Sequence, residues 1–296
     1  MNLLDSIISD GNTIVLPDGR KLGYSDWGPV DGEVVLFFPG IPCSRFFRFG
    51  SEKLLLELNV RLLVLERPGY GISDPKQNRK IVDLAEDAKN FLDILNIENA
   101  HLIGYSAGGP FALSCAYFIP HKIKNVALVS ACDPHFENEV YINHSSKIKR
   151  YINLVRYSPN KALATAQELA INPKKITEEL VGAASERDQE IFSQPEINSM
   201  FLANFIEGTF EGTNGFEYAN ELFMLFQPWN FPYQKIEKEI GLWYGKKDRN
   251  EFHSPTFGKY LSEKLLLSNH HLYDDEGASI LWTKSKEILI SLLNPS

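Results

Sequence analysis

One serine and three cysteines are the side chains whose surroundings decide whether this chain does nucleophilic chemistry. The serine is Ser106, in Gly104-Tyr105-Ser106-Ala107-Gly108-Gly109. Ala100-His101-Leu102-Ile103 before it reads as a short buried strand. Pro110 to Tyr117 after it reads as a helix, with Pro110 in the first turn, where a missing N–H costs nothing. A turn that sharp forces the serine into a strained backbone conformation. Gly104 and Gly108 avoid clashes where strand and helix cross. A G-x-S-x-G turn in this setting presents the serine hydroxyl above the sheet. It also aims the Ala107 N–H, at a helix N-terminus, to where an oxyanion would form. The implied chemistry is attack of a hydroxyl on a carbonyl. The cysteines, Cys43, Cys115 and Cys132, are far apart and odd in number, with neither metal-ligand spacing nor a disulfide framework. Cys115 and Cys132 sit in apolar runs as plain buried thiols, and Cys43 has no strand-to-helix turn to present it.

The elements that must position Ser106 alternate in type. Thr13 to Leu16, a Pro17-Asp18-Gly19-Arg20 turn and Lys21 to Gly28 read as an antiparallel opening pair. Glu33 to Phe38 is a near-continuous apolar run, as suits a strand buried on both faces. Ser44 to Asn59 reads as a helix, with Phe47, Leu54, Leu55 and Leu58 at helical spacing, and Arg61 to Leu65 as the next strand. Ile81 to Leu95 is amphipathic, its stripe being Ile81, Leu84, Ala88, Phe91, Leu92 and Leu95. Lys124 to Ala131 is a further buried strand. This pattern predicts an α/β fold with a mostly parallel, doubly wound sheet, whose ligands bind beyond the carboxyl ends of the strands. Ile41, Arg67 and Ser106 all fall there.

Past Asp133 the alternation stops. Helices are expected over Ser145–Tyr157, Pro159–Ile171, Thr177–Ser185, Pro195–Glu207 and Phe216–Phe226. Residues 134–228 therefore read as a helical segment, the cap, between residues 1–133 and 229–296, the core. Most of the cap's aromatic side chains are its own core. Phe136, Phe201, Phe205, Phe223 and Trp229 are the candidates to line an apolar pocket over Ser106. Ile236–Tyr244, a helix over Pro255–Lys264, the strand Leu265–Tyr273 and a helix over Ile280–Leu293 close the chain. Residues 1–10 read as a short amphipathic helix or a loose arm.

Three stretches in order give this chain a likeness. They are Phe37-Phe38-Pro39-Gly40-Ile41-Pro42-Cys43-Ser44-Arg45, Glu66-Arg67-Pro68-Gly69-Tyr70-Gly71-Ile72-Ser73-Asp74, and the Ser106 turn. Together they resemble the α/β-hydrolase superfamily, in its lidded, esterase-like branch. The resemblance implies that the cap is an inserted lid, and it implies an oxyanion loop at Pro39–Arg45. Because Pro42 has no N–H, the oxyanion donors are Ile41 and Ala107. Pro39 departs from the superfamily's usual histidine, a structural prop. The resemblance also implies the order Ser, Asp, His: Ser106 as nucleophile and Asp248 as acid, with Asp133 the alternative. The histidine belongs just after the last strand, and Ala278 stands there instead, within Glu276-Gly277-Ala278-Ser279. His270 and His271 lie within that strand, too early to reach the site. His253, in the loop after Asp248, is a less remote substitute. Two accounts of Ala278 remain open: a deliberate His→Ala change that stops turnover, or a natural loss that leaves a binding protein. The intact Ser106, Asp248 and oxyanion stretches favour the first.

The resulting expectation is a serine hydrolase without cofactor or metal. It cleaves a carboxylic ester or lactone of a bulky, largely apolar small molecule. A macrocyclic lactone such as a macrolide antibiotic is one such substrate, with antibiotic resistance the matching role. The alternative is a non-catalytic small-molecule receptor on the same fold. A net charge of −8 and the lack of a long basic run argue against nucleic acid and anionic membranes as partners. The first residues carry neither a basic stretch nor a long apolar core, so the expectation is a cytoplasmic protein, monomer or homodimer.

Overall fold

The computed structural model describes residues 11–170, 173–209 and 215–294. The expected arm at residues 1–10, the end of the expected helix at Ile171 and the cap aromatic Phe210 lie outside them. Strand β1 (Asn12–Val15) pairs antiparallel with β2 (Lys21–Trp27) across the Asp18-Gly19 turn, where Gly19 takes a φ of 87°. β3 (Glu33–Phe38) leads into the Pro39 loop, and a short helix α1 (Glu52–Glu57) precedes β4 (Val60–Leu65). Helix α2 (Asp83–Ile94), β5 (Ala100–Tyr105), α3 (Gly108–Phe118) and β6 (Ile123–Val129) follow.

The cap then runs as α4 (Asn138–Tyr141), α5 (Ser146–Tyr157), α6 (Pro159–Ala170), α7 (Pro173–Ala183), α8 (Glu186–Phe192), α9 (Pro195–Thr209) and α10 (Phe216–Leu225). The chain returns to the core with β7 (Ile240–Gly245), α11 (Lys259–Lys264), β8 (Ser268–Tyr273), α12 (Ile280–Thr283) and α13 (Ser285–Leu293).

The eight strands form one sheet in the order β1-β2-β4-β3-β5-β6-β7-β8. β2 meets β4 antiparallel, and every pairing from β4 onward is parallel. Strand side chains alternate between faces, and the two faces build two cores. Leu36, Phe38, Leu63, Leu65 and Leu102 pack with Ala88, Phe91 and Phe111 of α2 and α3. Val35, Phe37, Leu62, Val64 and Ile103 pack with Leu55 of α1 and with Ile288 and Leu289 of α13.

The helix expected over Ser44–Asn59 is present only at its end, as α1. Ser44 to Gly50 is irregular because cap and core side chains hold it. The Ser44 N–H and hydroxyl both donate to Asn204 Oδ1, at 2.9 and 3.0 Å. Arg45 Nη1 reaches Glu66 at 2.8 Å and Glu207 at 3.1 Å. These tertiary contacts override a local helical preference. The cap also contains α4 and α8, two short helices absent from the sequence expectation.

Candidate active site

β5 ends at Tyr105, and Ser106 takes a φ of 53°, a left-handed conformation costly for a residue with a Cβ. The neighbouring backbone pins it there. The Ser106 N–H donates to Val129 O at 3.0 Å, and its carbonyl accepts from Gly109 N at 3.1 Å and Cys132 N at 3.2 Å. A Cβ on Gly104 would lie 2.8 Å from Gly108 O and Gly109 Cα, so only glycine lets the strand pass the helix start. Gly40 approaches from the other side: a Cβ there would lie 3.1 Å from Ser106 Cβ and 3.3 Å from Oγ. That close approach sets Ile41 beside the serine. Among the described residues, neither the Ile41 nor the Ala107 backbone N–H donates to another protein group. Two uncommitted N–H groups beside a presented hydroxyl are what an anion at a substrate carbonyl needs.

Buried charge holds the Pro39–Gly40 loop in place. Arg67 Nη1 donates to Pro39 O at 2.7 Å and Nη2 to Gly40 O at 3.0 Å, while Nε donates to Glu221 Oε1 at 2.7 Å. Glu221, on cap helix α10, also accepts from Tyr70 Oη at 2.6 Å and Arg79 Nη1 at 2.9 Å. Burial by itself raises the Glu221 carboxyl, but Arg67 and Arg79 beside it outweigh that and hold it below the usual range. Cys43 is buried next to this loop, and burial pushes its thiol up, away from the thiolate form.

On the opposite side, the turn after β7 carries Asp248. Its Oδ1 accepts from Asn250 N at 2.9 Å, and its Oδ2 lies 2.7 Å from Nδ1 of His253. Acid and imidazole are both buried. The His253 ring packs T-shaped with Tyr105, the residue before Ser106, their centroids 5.8 Å apart. Asp133 has different partners. Its Oδ2 accepts from Ser254 Oγ at 2.5 Å and Thr256 Oγ1 at 2.9 Å, and burial pushes its carboxyl up to about 6 against the pull of those hydroxyls. Of the two aspartates considered as the acid, Asp248 is the one with an imidazole.

Position 278 is closed from the cap side. Asp188 of α8 accepts from Ala278 N at 3.1 Å and Ser279 N at 2.8 Å, and Tyr105 Oη donates to Ala278 O at 3.0 Å. Among the cap aromatics, Phe201 lies 5.5 Å from Phe47 and 5.9 Å from Phe205, and Phe47 stacks on Tyr105 at 5.7 Å. This places Phe201 and Phe205 near the strand end that carries the serine. Phe223 is half-buried against the main core, and Phe136 lies under the Arg156 guanidinium at 4.6 Å. Trp229 packs with Phe231 and Tyr233, and Phe231 in turn meets Tyr117 and Phe118 in the last turn of α3. That is the far end of the helix from Ser106, about 16 Å along its axis, so Trp229 belongs to the core there.

Sequence reading placed Arg67 at a strand end but missed its hold on the oxyanion loop, and it missed Glu221, Asn250 and Asp188 altogether. For Asp188 a signal existed: Ser185-Glu186-Arg187-Asp188 has the spacing of a helix-capping box. Ser185 Oγ accepts from Asp188 N at 3.3 Å. Among the described residues, no group of three or more His, Cys, Asp or Glu side chains is placed to hold a metal. None of the described helices is long and apolar enough to cross a membrane.

Comparison with known proteins bears on the fold. A family model described as the alpha/beta hydrolase fold matches residues 33–145, the stretch from β3 into the start of the cap. A non-heme chloroperoxidase from Streptomyces lividans is 32% identical over 124 residues, which are 41% of this chain and 45% of that protein. A 3-oxoadipate enol-lactonase from Acinetobacter baylyi is 41% identical over 95 residues, 32% of this chain and 35% of that one. The matched stretches span less than half the length of these curated relatives. Among solved structures, an esterase from Exiguobacterium antarcticum superposes with a TM-score of 0.68 over 96% of this chain and 98% of its own, at 20% identity. The chain has the α/β-hydrolase fold, and its residues 33–145 match that family's model.

Proposed function

We propose that this protein hydrolyses a carboxylic ester or lactone of a bulky, largely apolar small molecule, with Ser106 as nucleophile and the Ile41 and Ala107 N–H groups as oxyanion donors. The observation that carries this reading is the strained Ser106 turn, held at a φ of 53° with Gly40 packed against its side chain. A serine is kept in such a conformation at a cost of about 1–3 kcal/mol, and nucleophile turns are where that cost serves a purpose. The 3-oxoadipate enol-lactonase likeness supports an acyl–oxygen bond as the target, and the aromatic side chains of Phe201 and Phe205 suit an apolar acyl or ring portion. A macrocyclic lactone is one substrate of this class.

Ala278 favours a second reading, because no proton acceptor stands where the superfamily implies one. The chain then binds its ligand and scarcely turns it over, either as a His→Ala form that traps substrate or as a receptor. One experiment separates the two. The purified chain and Ser106→Ala are assayed on a panel of activated esters and lactones, and Ser106 is challenged with a fluorophosphonate. Hydrolysis that disappears in Ser106→Ala, with the phosphonate found on Ser106 by mass spectrometry, supports the hydrolase. Tight binding of a panel member with no Ser106-dependent turnover supports the receptor.

A further inference from the structure

The fold's usual place for the base is empty of imidazole, yet the acid has one. The hydrogen bonds around His253 define its tautomer. Asn250 Oδ1 accepts from Phe252 N at 3.0 Å, which turns the amide nitrogen of Asn250 toward His253 Nε2, 3.2 Å away. An amide nitrogen only donates, so Nε2 is the ring's acceptor and Nδ1 carries the proton. That proton faces Asp248 Oδ2 at 2.7 Å. A general base oriented by an acid needs this tautomer: Nδ1–H on the carboxylate and the Nε2 lone pair free for a hydroxyl proton.

His253 is also tied to the serine's surroundings. The N–H of Ser254, the next residue, donates to Ala131 O at 3.2 Å, and Cys132 N donates to Ser106 O at 3.2 Å. The loop that carries His253 is thus bonded to the Ala131–Cys132 segment that in turn bonds Ser106, and the imidazole packs T-shaped with Tyr105. Asp133 fixes the same loop through Ser254 and Thr256.

We propose that His253 is the proton acceptor for Ser106, carried on the same loop as the acid that orients it, with Asn250 setting its tautomer. The proposal rests on the hydrolase reading above. As substrate enters, the Ser106 hydroxyl replaces the Asn250 amide as the donor to Nε2. Hydroxyl–base contacts are commonly long without substrate and tighten on binding. The Ser106 oxygen then bonds to the carbonyl carbon, its proton moves to Nε2, and the carbonyl electron pair moves onto oxygen beside Ile41 and Ala107. As that pair returns, the carbon–oxygen bond to the leaving group breaks, and Nε2 gives its proton to the departing alkoxide. Water repeats the sequence on the acyl-serine, losing a proton to Nε2, which returns it to Ser106 as the carboxylic acid leaves.

The test uses the full chain with p-nitrophenyl esters and a fluorophosphonate. His253→Gln is expected to lower kcat by about 10³-fold or more with KM little changed, within the span of general-base and triad losses. If His253→Gln keeps full kcat while Ser106→Ala loses it, or if Ala278→His raises kcat by orders of magnitude, the proposal is overturned and the hydrolase reading stands. If hydrolysis does not depend on Ser106 in any of these proteins, both fall. Should His253→Gln not fold, the unchanged chain decides. Phosphonylation of Ser106 is expected to convert His253 to imidazolium, with a low-field Nδ1–H proton resonance against Asp248. A phosphonylated Ser106 without that resonance overturns the proposal.

Discussion

The two sides of Ser106 are built by different means. On the oxyanion side, the loop is held across a long sequence distance: Arg67 props the Pro39 and Gly40 carbonyls, and Glu221, more than 150 residues away, neutralises it from the cap. On the acid side, Asp248, Asn250 and His253 lie within six consecutive residues and settle one another's geometry. The first arrangement ties the Pro39–Gly40 loop to α10 of the insertion. The second makes acid and imidazole a local unit that depends on little else. A buried ion pair with one partner removed costs far more than the pair contributes, so the oxyanion side is the one whose failure spreads.

The largest expected effect breaks the acid side. Asp248→Asn should lower kcat by about 10⁴, as loss of the orienting carboxylate does in a serine protease. Asp133→Asn should lower it far less, since Asp133 bonds hydroxyls of the loop. Steady-state kinetics of both variants sharpens the contrast, and the reverse order would make Asp133 the acid.

Next comes the oxyanion side. Glu221→Gln leaves Arg67 and Arg79 sharing a neutral amide. It should cost about 3–5 kcal/mol in chemical denaturation. It should also slow turnover by about 10²–10³, as expected when an oxyanion donor is misplaced. Unchanged turnover in a folded Glu221→Gln protein would detach the oxyanion loop from the cap.

A smaller effect tests whether pH loosens the cap. Burial pushes Glu207 up to about 7 against the pull of Arg45, from an ordinary value of 4.5. A carboxyl that binds its proton more tightly when folded contributes stability that is fully present below its unfolded value and is lost as pH rises through its folded value. Stability should therefore fall between about pH 4.5 and pH 7 by on the order of 1–3 kcal/mol from this group. Glu207→Gln should flatten that stretch of the curve, as measured by urea midpoints across the range.

An effect of similar size is expected at Asp188. Asp188→Ala removes the acceptor for the Ala278 and Ser279 N–H groups and for the Ser185 hydroxyl. It should cost about 1–3 kcal/mol by leaving those donors unsatisfied. Faster hydrogen exchange confined to residues 276–283 would locate the loss.

The same contrast separates what the sequence made legible from what it hid. The Ser106 turn was readable because glycine, serine and proline each have one local reason to stand there. Asp248 was readable because a strand ends just before it. The Ser44–Gly50 stretch was misread as helix because Asn204, Glu66 and Glu207, which hold it, lie elsewhere in the chain. Glu221 and Asp188 were missed for the same reason: a cap carboxylate gives no local sign of which core group it will meet. His253 is the instructive case. It was considered and set behind position 278, because expectation followed the superfamily's order, while the hydrogen bond to Asp248 spans only five residues.

Glu221 has one more consequence, for how such a protein can be re-engineered. The arginines it neutralises belong to the core, whereas Glu221 belongs to the insertion. Cap and core are therefore not interchangeable parts. Recombination that grafts in a relative's insertion without a carboxylate at this point would leave two guanidinium groups stranded in the interior, next to the Pro39–Gly40 loop.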